Sequence, residues 1–434
     1  PILVDINIHP TKMDIKFSKM DTLKSLITDV ISKTLRELTL IPKAKHEEIK
    51  PSPITSYSVS EEPSVYNDNY KDYDTQTINR NLPIWMTYEP GSTFKIITLA
   101  SSIEEKTIDL FKDTFTDSGS INVEGATLHC WKHGGHGTQT YLEVVENSCN
   151  PGFVSMGQKL GTQKLMSYIE KFGFGKKTGI DLNGESNGIL FNINKMGPVE
   201  TATTAFGQGI SVTPIQQITA VSAVVNGGNL YKPYIVKSLM NESGALLDYN
   251  EKVLVKKVIS KDTSSLVRFT LESVVANGTG RNAYIENYRV GGKTGTAQKV
   301  VDGKYSSSSY ILSFVGFMPA DNPKIVIYVA IDGAKNVTQY GGTASAPVAK
   351  SILTSAIDIL GIKSSKEGMP KEYNYLDKKY TYVQDVTGKS LEEAKKTLKG
   401  FKIELSGNGE KVFYQSPEVG TYVEEGSTVM LMLK

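Results

Sequence analysis

A mixed α/β body followed by a small α+β module is what this sequence predicts, on three observations. From about residue 73 to 362, apolar residues recur by turns at helical and at strand spacing. That stretch closes on the apolar run from Ile325 to Ile331, which reads as a strand, and on a helix from about Pro347, a natural first-turn residue, to Leu360. Near the C-terminus, Ser390 precedes Leu391, Glu392 and Glu393 as a helix cap whose carboxylates suit the helix dipole, and Val429, Leu431 and Leu433 alternate as a strand.

Taken in order, the 434 residues divide into five parts. Residues 1–42 read as a hairpin, with Val4, Ile6 and Ile8 alternating before the turn at His9 to Lys12 and Ile15 and Phe17 after it. An amphipathic helix follows, carrying Leu23, Ile27, Ile31 and Leu35. Residues 43–72 are rich in Pro, Ser, Glu, Tyr and Asp with little periodicity, which predicts a linker. Residues 73–362 form the body, 363–377 a second linker and 378–434 the terminal module. The net charge is +2 and the basic residues are scattered, so no stripe argues for nucleic acid, and none is expected as a partner. No run of about 18 apolar residues and no basic-then-apolar leader is present, and the chain, opening on Pro1, reads as a fragment of something longer.

Chemistry concentrates in three short motifs. Pro90-Gly91 breaks the chain before an apolar helical run containing Phe94, Ile96, Ile97 and Leu99, so Ser92 and Lys95 lie one turn apart on one helix face. Ser92 is the candidate nucleophile. Lys95 can take its proton only if burial and neighbouring cations lower the amine well below its ordinary pKa of about 10.4. The second motif, Ser148-Cys149-Asn150, follows a helix-like stretch from Tyr141 to Glu146 and is closed by Pro151-Gly152. Ser148 suits a proton relay between Lys95 and a leaving group, and the Asn150 amide suits a peptide backbone. The third, Lys293-Thr294-Gly295-Thr296, leaves a strand whose Gly291 and Gly292 let another backbone approach closely. Lys293 adds positive potential beside the nucleophile, the hydroxyls of Thr294 and Thr296 can bind a terminal carboxylate, and the backbone N–H groups of Ser92 and Thr296 are candidates for an oxyanion hole.

Each motif alone is weak, since a capping serine, an ordinary loop and a chance triplet explain them equally well. In this order they form the signature of serine acyl transfer on a penicillin-like or D-alanyl-D-alanine substrate. A second Lys-Thr-Gly triplet at Lys177 to Gly179 is rejected, because it follows Ser148 too closely to leave room for a helical region and a return to the sheet.

The segments Tyr88 to Lys95, Glu146 to Pro151, Phe206 to Gly209, Val224 to Gly228 and Gly291 to Thr296 resemble the class B penicillin-binding proteins, in particular the sporulation-specific transpeptidases of endospore formers. The resemblance spans about residues 65–362. It implies a penicillin-binding transpeptidase fold, with an antiparallel sheet flanked by helices and an all-helical subdomain. It also implies a D,D-transpeptidase that cross-links peptidoglycan stem peptides through an acyl-enzyme, that is acylated by β-lactam antibiotics and that works with other cell-wall synthesis partners, in spore cortex synthesis. Its place would be the extracytoplasmic face of the membrane, and the chemistry needs no cofactor. Two alternatives share the residues: a D,D-carboxypeptidase or β-lactamase-like hydrolase, although no convincing E-x-x-x-N deacylation motif lies in a place that resembles a class A β-lactamase, and an impaired fusion that only binds cell wall.

Residues 378–434 resemble a PASTA domain, a small unit of three strands and one helix, through Val383 to Gly388, Ser390 to Lys395, Gln415 to Pro417 and Gly420 to Ser427. Val4 to Lys12 with Asp14 to Ser18 instead resembles the end of the ATPase region of the mismatch-repair protein MutL, Lys12 matching its phosphate-reaching lysine. No ATPase activity is expected, because the nucleotide lobe is not recognisable. The initial strands of a transpeptidase sheet are likewise not recognisable upstream of Ser92, and the hairpin from Ile2 to Phe17 is a candidate to replace them.

Both cysteines and three of the five histidines fall between His129 and Cys149. Two buried thiols or a Cys130–Cys149 disulfide would account for the pair. A structural zinc held by Cys130, His133, His136 and Cys149 is the sharper expectation, with His129 and Asp117 as substitute ligands.

Overall fold

The structure, a computed structural model, describes residues 80–434 apart from 242, 302–303, 335–337, 372–379 and 425. The hairpin and helix expected at residues 1–42, the linker expected at 43–72 and the suggested docking of the hairpin on the sheet fall outside the described residues. The chain divides into two compact units between Lys371 and Glu372.

The first unit is built on a buried helix and a three-stranded sheet. After a short helix α1 (Leu82–Trp85) and a 3-10 turn (Gly91–Thr93), α2 (Lys95–Glu104) is buried from Lys95 to Ser102, as expected of a helix apolar on nearly every side. Two small pairs follow, β1 (Thr114–Asp117) with β4 (Gly137–Thr140) and β2 (Ser120–Val123) with β3 (Ala126–His129). Next come five helices uninterrupted by any strand of the named ladders: α3 (Tyr141–Glu146), α4 (Asn150–Leu160), α5 (Thr162–Lys171), α6 (Pro198–Ala205) and α7 (Pro214–Val225). This is the all-helical region. Its starts follow local rules: Thr140 and Glu143 form a reciprocal capping box on α3, Thr213 and Gln216 another on α7, and Pro151, Pro198 and Pro214 occupy first-turn positions. Short strands β5 (Asn229–Tyr231), β6 (Ser238–Met240), β7 (Leu246–Tyr249) and β8 (Leu254–Lys257) pair as β5–β8 and β6–β7 before α8 (Lys261–Ala276).

The main sheet is antiparallel, with β10 (Lys304–Met318) between β9 (Gly291–Val301) and β11 (Ile325–Asp332). Strand periodicity splits β10 between two cores. Ile311, Val315 and Phe317 join the cluster that contains α2 and the helical region, while Phe314 and Met318 join the cluster of Ala346, Ala349, Ile352, Leu353 and Ala356 from the last helix of the unit, α9 (Gly341–Leu360). Helices therefore flank the sheet.

One boundary differs from expectation. The helix placed from Pro347 begins at Gly341, with Pro347 inside it. Proline disfavours an interior position by about 3 kcal/mol, but here Gly341 and Gly342 dock the extra turn onto the strands. A Cβ on Gly341 would stand 2.3 Å from the Gly295 carbonyl oxygen and 2.4 Å from that of Ser313, and the Gly341 N–H donates to the Thr296 hydroxyl at 3.2 Å. Tertiary contact outweighs the local signal.

In the second unit, β14 (Val412–Ser416) pairs antiparallel and β13 (Lys402–Ser406) pairs parallel with β16 (Thr428–Leu433). The helix α10 (Leu391–Thr397) starts at a Ser390–Glu393 capping box. Val383, Val386, Ala394, Leu398, Val412, Val429, Leu431 and Leu433 form its core. The expected three strands and helix are present, and a further pair, β12 (Tyr380–Tyr382) with β15 (Tyr422–Glu424), adds to them.

Candidate active site

Ser92 lies in the 3-10 turn, and the α-helix begins at Lys95. The residue before that helix, Phe94, makes no side-chain cap. The turn is held by backbone contact on two sides. Gly91, in the left-handed region at φ 53°, donates its N–H to the Gly207 carbonyl at 3.0 Å, and a Cβ on Gly207 would meet the Gly91 carbonyl oxygen at 2.2 Å. An added Cβ on Gly91 would sit 3.3 Å from the Thr296 carbonyl oxygen, and one on Gly295 2.9 Å from the Thr93 side chain. The turn that carries Ser92 thus abuts β9 along Gly295 and Thr296.

Lys95, the first residue of α2, is fully buried. Its Nζ donates to the Ser148 carbonyl at 2.8 Å, to Ser148 Oγ at 3.2 Å and to Asn150 Oδ1 at 2.6 Å. Ser148 occupies the break between α3 and α4 at φ 52°, a left-handed conformation that costs a non-glycine residue about 1–3 kcal/mol and persists only where its surroundings hold it. On the opposite side, Lys293 of β9 is also fully buried and donates from Nζ to Ser148 Oγ at 2.7 Å and to the Thr294 carbonyl at 3.2 Å. Three chain segments far apart in sequence meet at one hydroxyl.

Burial sets the electrostatics. It lowers the Lys95 amine to about 7, against a smaller upward pull from Cys149 and Cys130. Burial likewise pushes Lys293 well below its ordinary range, and the charge of Lys95 adds to that. Two ammonium groups around one dry hydroxyl repel, so the pair resists double protonation and a neutral amine is accessible near neutral pH.

The remaining predicted positions are placed as follows. Asn150 also donates from Nδ2 to the His129 carbonyl at 3.2 Å. Thr294 Oγ1 donates to Thr279 Oγ1 at 3.0 Å, and Thr296 Oγ1 accepts from Gly341. Lys177 of the rejected triplet is exposed, and its neighbour Thr178 is engaged through both N–H and hydroxyl by Glu185 at 2.6 Å. Sequence reasoning missed Thr279, Gly341 and Trp131. Trp131 Nε1 donates to the Asn147 carbonyl at 2.8 Å, directly before Ser148, and its ring packs edge-on against His136 and Tyr340. Its only signal was rarity, as one of two tryptophans lying inside the Cys/His stretch.

The expected ligand set needs one correction. The structure gathers Cys130, His136 and Cys149, but the fourth member is Asp117, and the donor atoms of these four lie within 4.8 Å of one another. His133 is exposed and takes no part. The turn at Gly134 and Gly135, both at positive φ, leaves His133 at the surface, while the β1–β4 pairing sets Asp117 opposite Gly137. Both cysteines are free thiols, so the disulfide alternative is not formed.

Comparison with known proteins covers both units. The penicillin binding protein transpeptidase domain matches residues 57–354 and the PASTA domain residues 381–434. The chain is 53% identical over 376 residues to stage V sporulation protein D of Bacillus subtilis, covering 86% of this chain and 58% of that protein. It is 34% identical over 335 residues to a peptidoglycan D,D-transpeptidase FtsI homolog of Mesostigma viride, covering 72% of this chain and 56% of that one. The chain thus spans just over half the length of these relatives. Among solved structures, penicillin-binding protein 3 of Mycobacterium tuberculosis in complex with ampicillin superposes with a TM-score of 0.61 at 29% identity, over 67% of this chain and 66% of that one.

Proposed function

The chain belongs to the penicillin-binding protein transpeptidases and carries a C-terminal PASTA domain, and from that premise we propose that it is a serine D,D-transpeptidase that cross-links peptidoglycan stem peptides and is acylated by β-lactams. The reading rests chiefly on one observation. Ser148 Oγ lies within hydrogen-bond reach of both Lys95 and Lys293, beside the turn that carries Ser92.

In this reading Ser92 Oγ attacks the carbonyl carbon of the penultimate D-alanine as neutral Lys95 takes its proton. The backbone N–H groups of Ser92 and Thr296 hold the oxyanion. Ser148 passes the proton from Lys95 to the departing D-alanine amine, and Lys293 stabilises the negative charge that develops. Asn150 holds the peptide backbone, and Thr294, Gly295 and Thr296 receive the terminal carboxylate. An amine of a neighbouring stem then attacks the acyl-enzyme, its proton leaves through Lys95 and Ser92 is released. No cofactor enters these steps, so any metal bound near the loop would be structural.

The likeness to stage V sporulation protein D supports a role in sporulation, in spore cortex synthesis. Class B penicillin-binding proteins act outside the cytoplasm, which supports the same site of action here; no helix of the described residues is long and apolar enough to cross a membrane. A fluorescent penicillin is expected to label the protein covalently, and Ser92→Ala to abolish labelling. Labelling that survives in the variant would overturn the assignment, and product analysis with an acceptor amine separates transfer from hydrolysis.

A further inference from the structure

Between Tyr231 and Lys257, apolar side chains recur along three short strands without finding a core. Ile235, Leu239, Met240, Leu246, Leu247 and Tyr249 are each more than half exposed, and so are Leu254 and Val255 on β8. We propose that this face, together with a lysine-lined pocket beside it, docks on the surface of an anionic lipid bilayer.

The strands leave their side chains out for a topological reason. Among the described residues β6 pairs only with β7, in the register Ser238 to Tyr249, Leu239 to Asp248 and Met240 to Leu246, and β8 pairs only with β5. No residue of β6 or β7 joins a core cluster of the described residues. A contiguous exposed apolar patch of this kind marks a surface that meets another apolar phase or partner. Inside hydrocarbon the free strand edges would leave backbone groups unpaired, so the hairpin lies in the headgroup region and does not cross the bilayer.

Charge selects the partner. Residues 230–257 hold five lysines against three acids, and Lys176 and Lys177 follow Lys171 on the neighbouring segment. Lys171, Lys176, Lys177 and Lys256 line a pocket of about 180 Å³ against one acid, Glu170. Among the described residues, none of Lys176, Lys177 and Lys256 is ion-paired. Lysine is a compact point charge that suits phosphate, and no arginine fork for a planar carboxylate lines this pocket. Small-molecule pockets usually reach about 300–1,000 Å³, so this one takes a headgroup phosphate and not a whole ligand. A nucleic acid or a water-soluble polyphosphate would use the lysines but leave the apolar strands in water. A lipid surface satisfies both.

The two parts form one surface on a fixed frame. Buried Gln216 donates from Nε2 to the Lys176 carbonyl at 2.7 Å. Buried Glu185 accepts from the Thr178 N–H and hydroxyl at 2.6 Å and from the Gly179 N–H at 3.1 Å. Asp181 accepts from the N–H groups of Ile235 and Val236, each at 2.8 Å, which ties the base of the hairpin to the lysine segment. Tyr231 lines the pocket with the Lys252 ammonium 4.1 Å from its ring centroid, and Tyr249 lies on β7. Such amphipathic rings are favoured where hydrocarbon meets water. None of these residues belongs to the cleft around Ser92, so docking leaves the acyl-transfer chemistry untouched.

The test is flotation of the whole chain with vesicles of equimolar phosphatidylglycerol and phosphatidylcholine, and with vesicles of phosphatidylcholine alone. Binding to the anionic vesicles is expected, weakening as salt is raised. Lys176→Gln with Lys177→Gln should lower the apparent affinity about 25-fold, since each basic residue beside an anionic leaflet contributes about fivefold. Leu239→Asn with Leu247→Asn should lower it at least about tenfold. Both variants change exposed side chains, so their melting and penicillin labelling are expected to match the wild type. A wild-type chain that stays off the anionic vesicles, or binds neutral ones equally well, overturns the proposal, and this reading holds even where a variant folds poorly. Binding unaffected by either pair of substitutions would place the contact elsewhere in the chain and overturn it too. So would binding that needs the lysines but not the leucines, which would assign the pocket to a water-soluble polyphosphate.

Discussion

Lys95 and Lys293 point at the same oxygen: their ammonium nitrogens lie 3.2 and 2.7 Å from Ser148 Oγ. A hydroxyl has one proton to give and lone pairs to receive. Once Lys95 has taken the Ser92 proton, Ser148 Oγ accepts from it and can release its own proton to the leaving amine, which is the polarity a relay needs.

The first prediction is a pH profile. Burial holds Lys95 at about 7, and only the neutral amine accepts the Ser92 proton. The second-order rate of acylation by a penicillin is expected to fall about tenfold per pH unit below 7 and to level off above it. The sign for stability agrees: a lysine whose folded pKa is depressed binds fewer protons folded than unfolded between about 7 and the reference value near 10.4, so its burial penalty eases as pH rises through that window. A profile that is flat from pH 5.5 to 8 would refute the assignment of Lys95 as base.

Lys293→Met should separate chemistry from folding. The substitution removes a charge that burial disfavours, so the melting temperature is expected to hold or rise. Acylation is expected to slow by about 100- to 1,000-fold, the usual effect of removing one preorganised electrostatic group. Timed penicillin labelling alongside a thermal melt reads both.

Gly207→Ala tests the seat of the nucleophile. A methyl group there meets the Gly91 carbonyl at 2.2 Å and the Phe94 Cβ at 2.8 Å, at a backbone φ of 86°. A destabilisation of about 2 kcal/mol or more is expected from the combined conformational strain and overpacking. Displacement of the Ser92 turn should also slow labelling in the fraction that remains folded. Unchanged denaturation and labelling would show that the turn does not depend on this contact.

Glu272 and Arg289 offer a test of the frame behind the site. Arg289 donates from Nε and NH2 to the carboxylate of Glu272, which is almost wholly buried, and so ties α8 to the segment leading into Gly291 and β9. Arg289→Ala leaves that carboxylate buried without its cation and is expected to cost about 3–5 kcal/mol in urea unfolding. Arg289→Met combined with Glu272→Met should recover much of the loss, since an apolar pair leaves no charge unpaired.

Legibility differed between these features for a physical reason. Local rules fixed what lies within a turn or two: Ser92 one turn before Lys95, the break at Ser148 to Pro151, the Ser390 cap and the alternation of Val429, Leu431 and Leu433. The order of the three motifs and their likeness to one family made the chemistry readable before any fold was known. Spacing had already favoured Lys293 over Lys177, but only tertiary structure brought its Nζ to 2.7 Å from Ser148 Oγ across 145 residues of chain, since that depends on where β9 lies against the helical region. It also placed Asp117 beside His136 in the position that Cys-x-x-His spacing suggested for His133, and it carried α9 back past Pro347 to Gly341. Periodicity and spacing report each residue's neighbours along the chain, whereas strand pairing and the close approach of glycine backbones bring together residues that share no local signal.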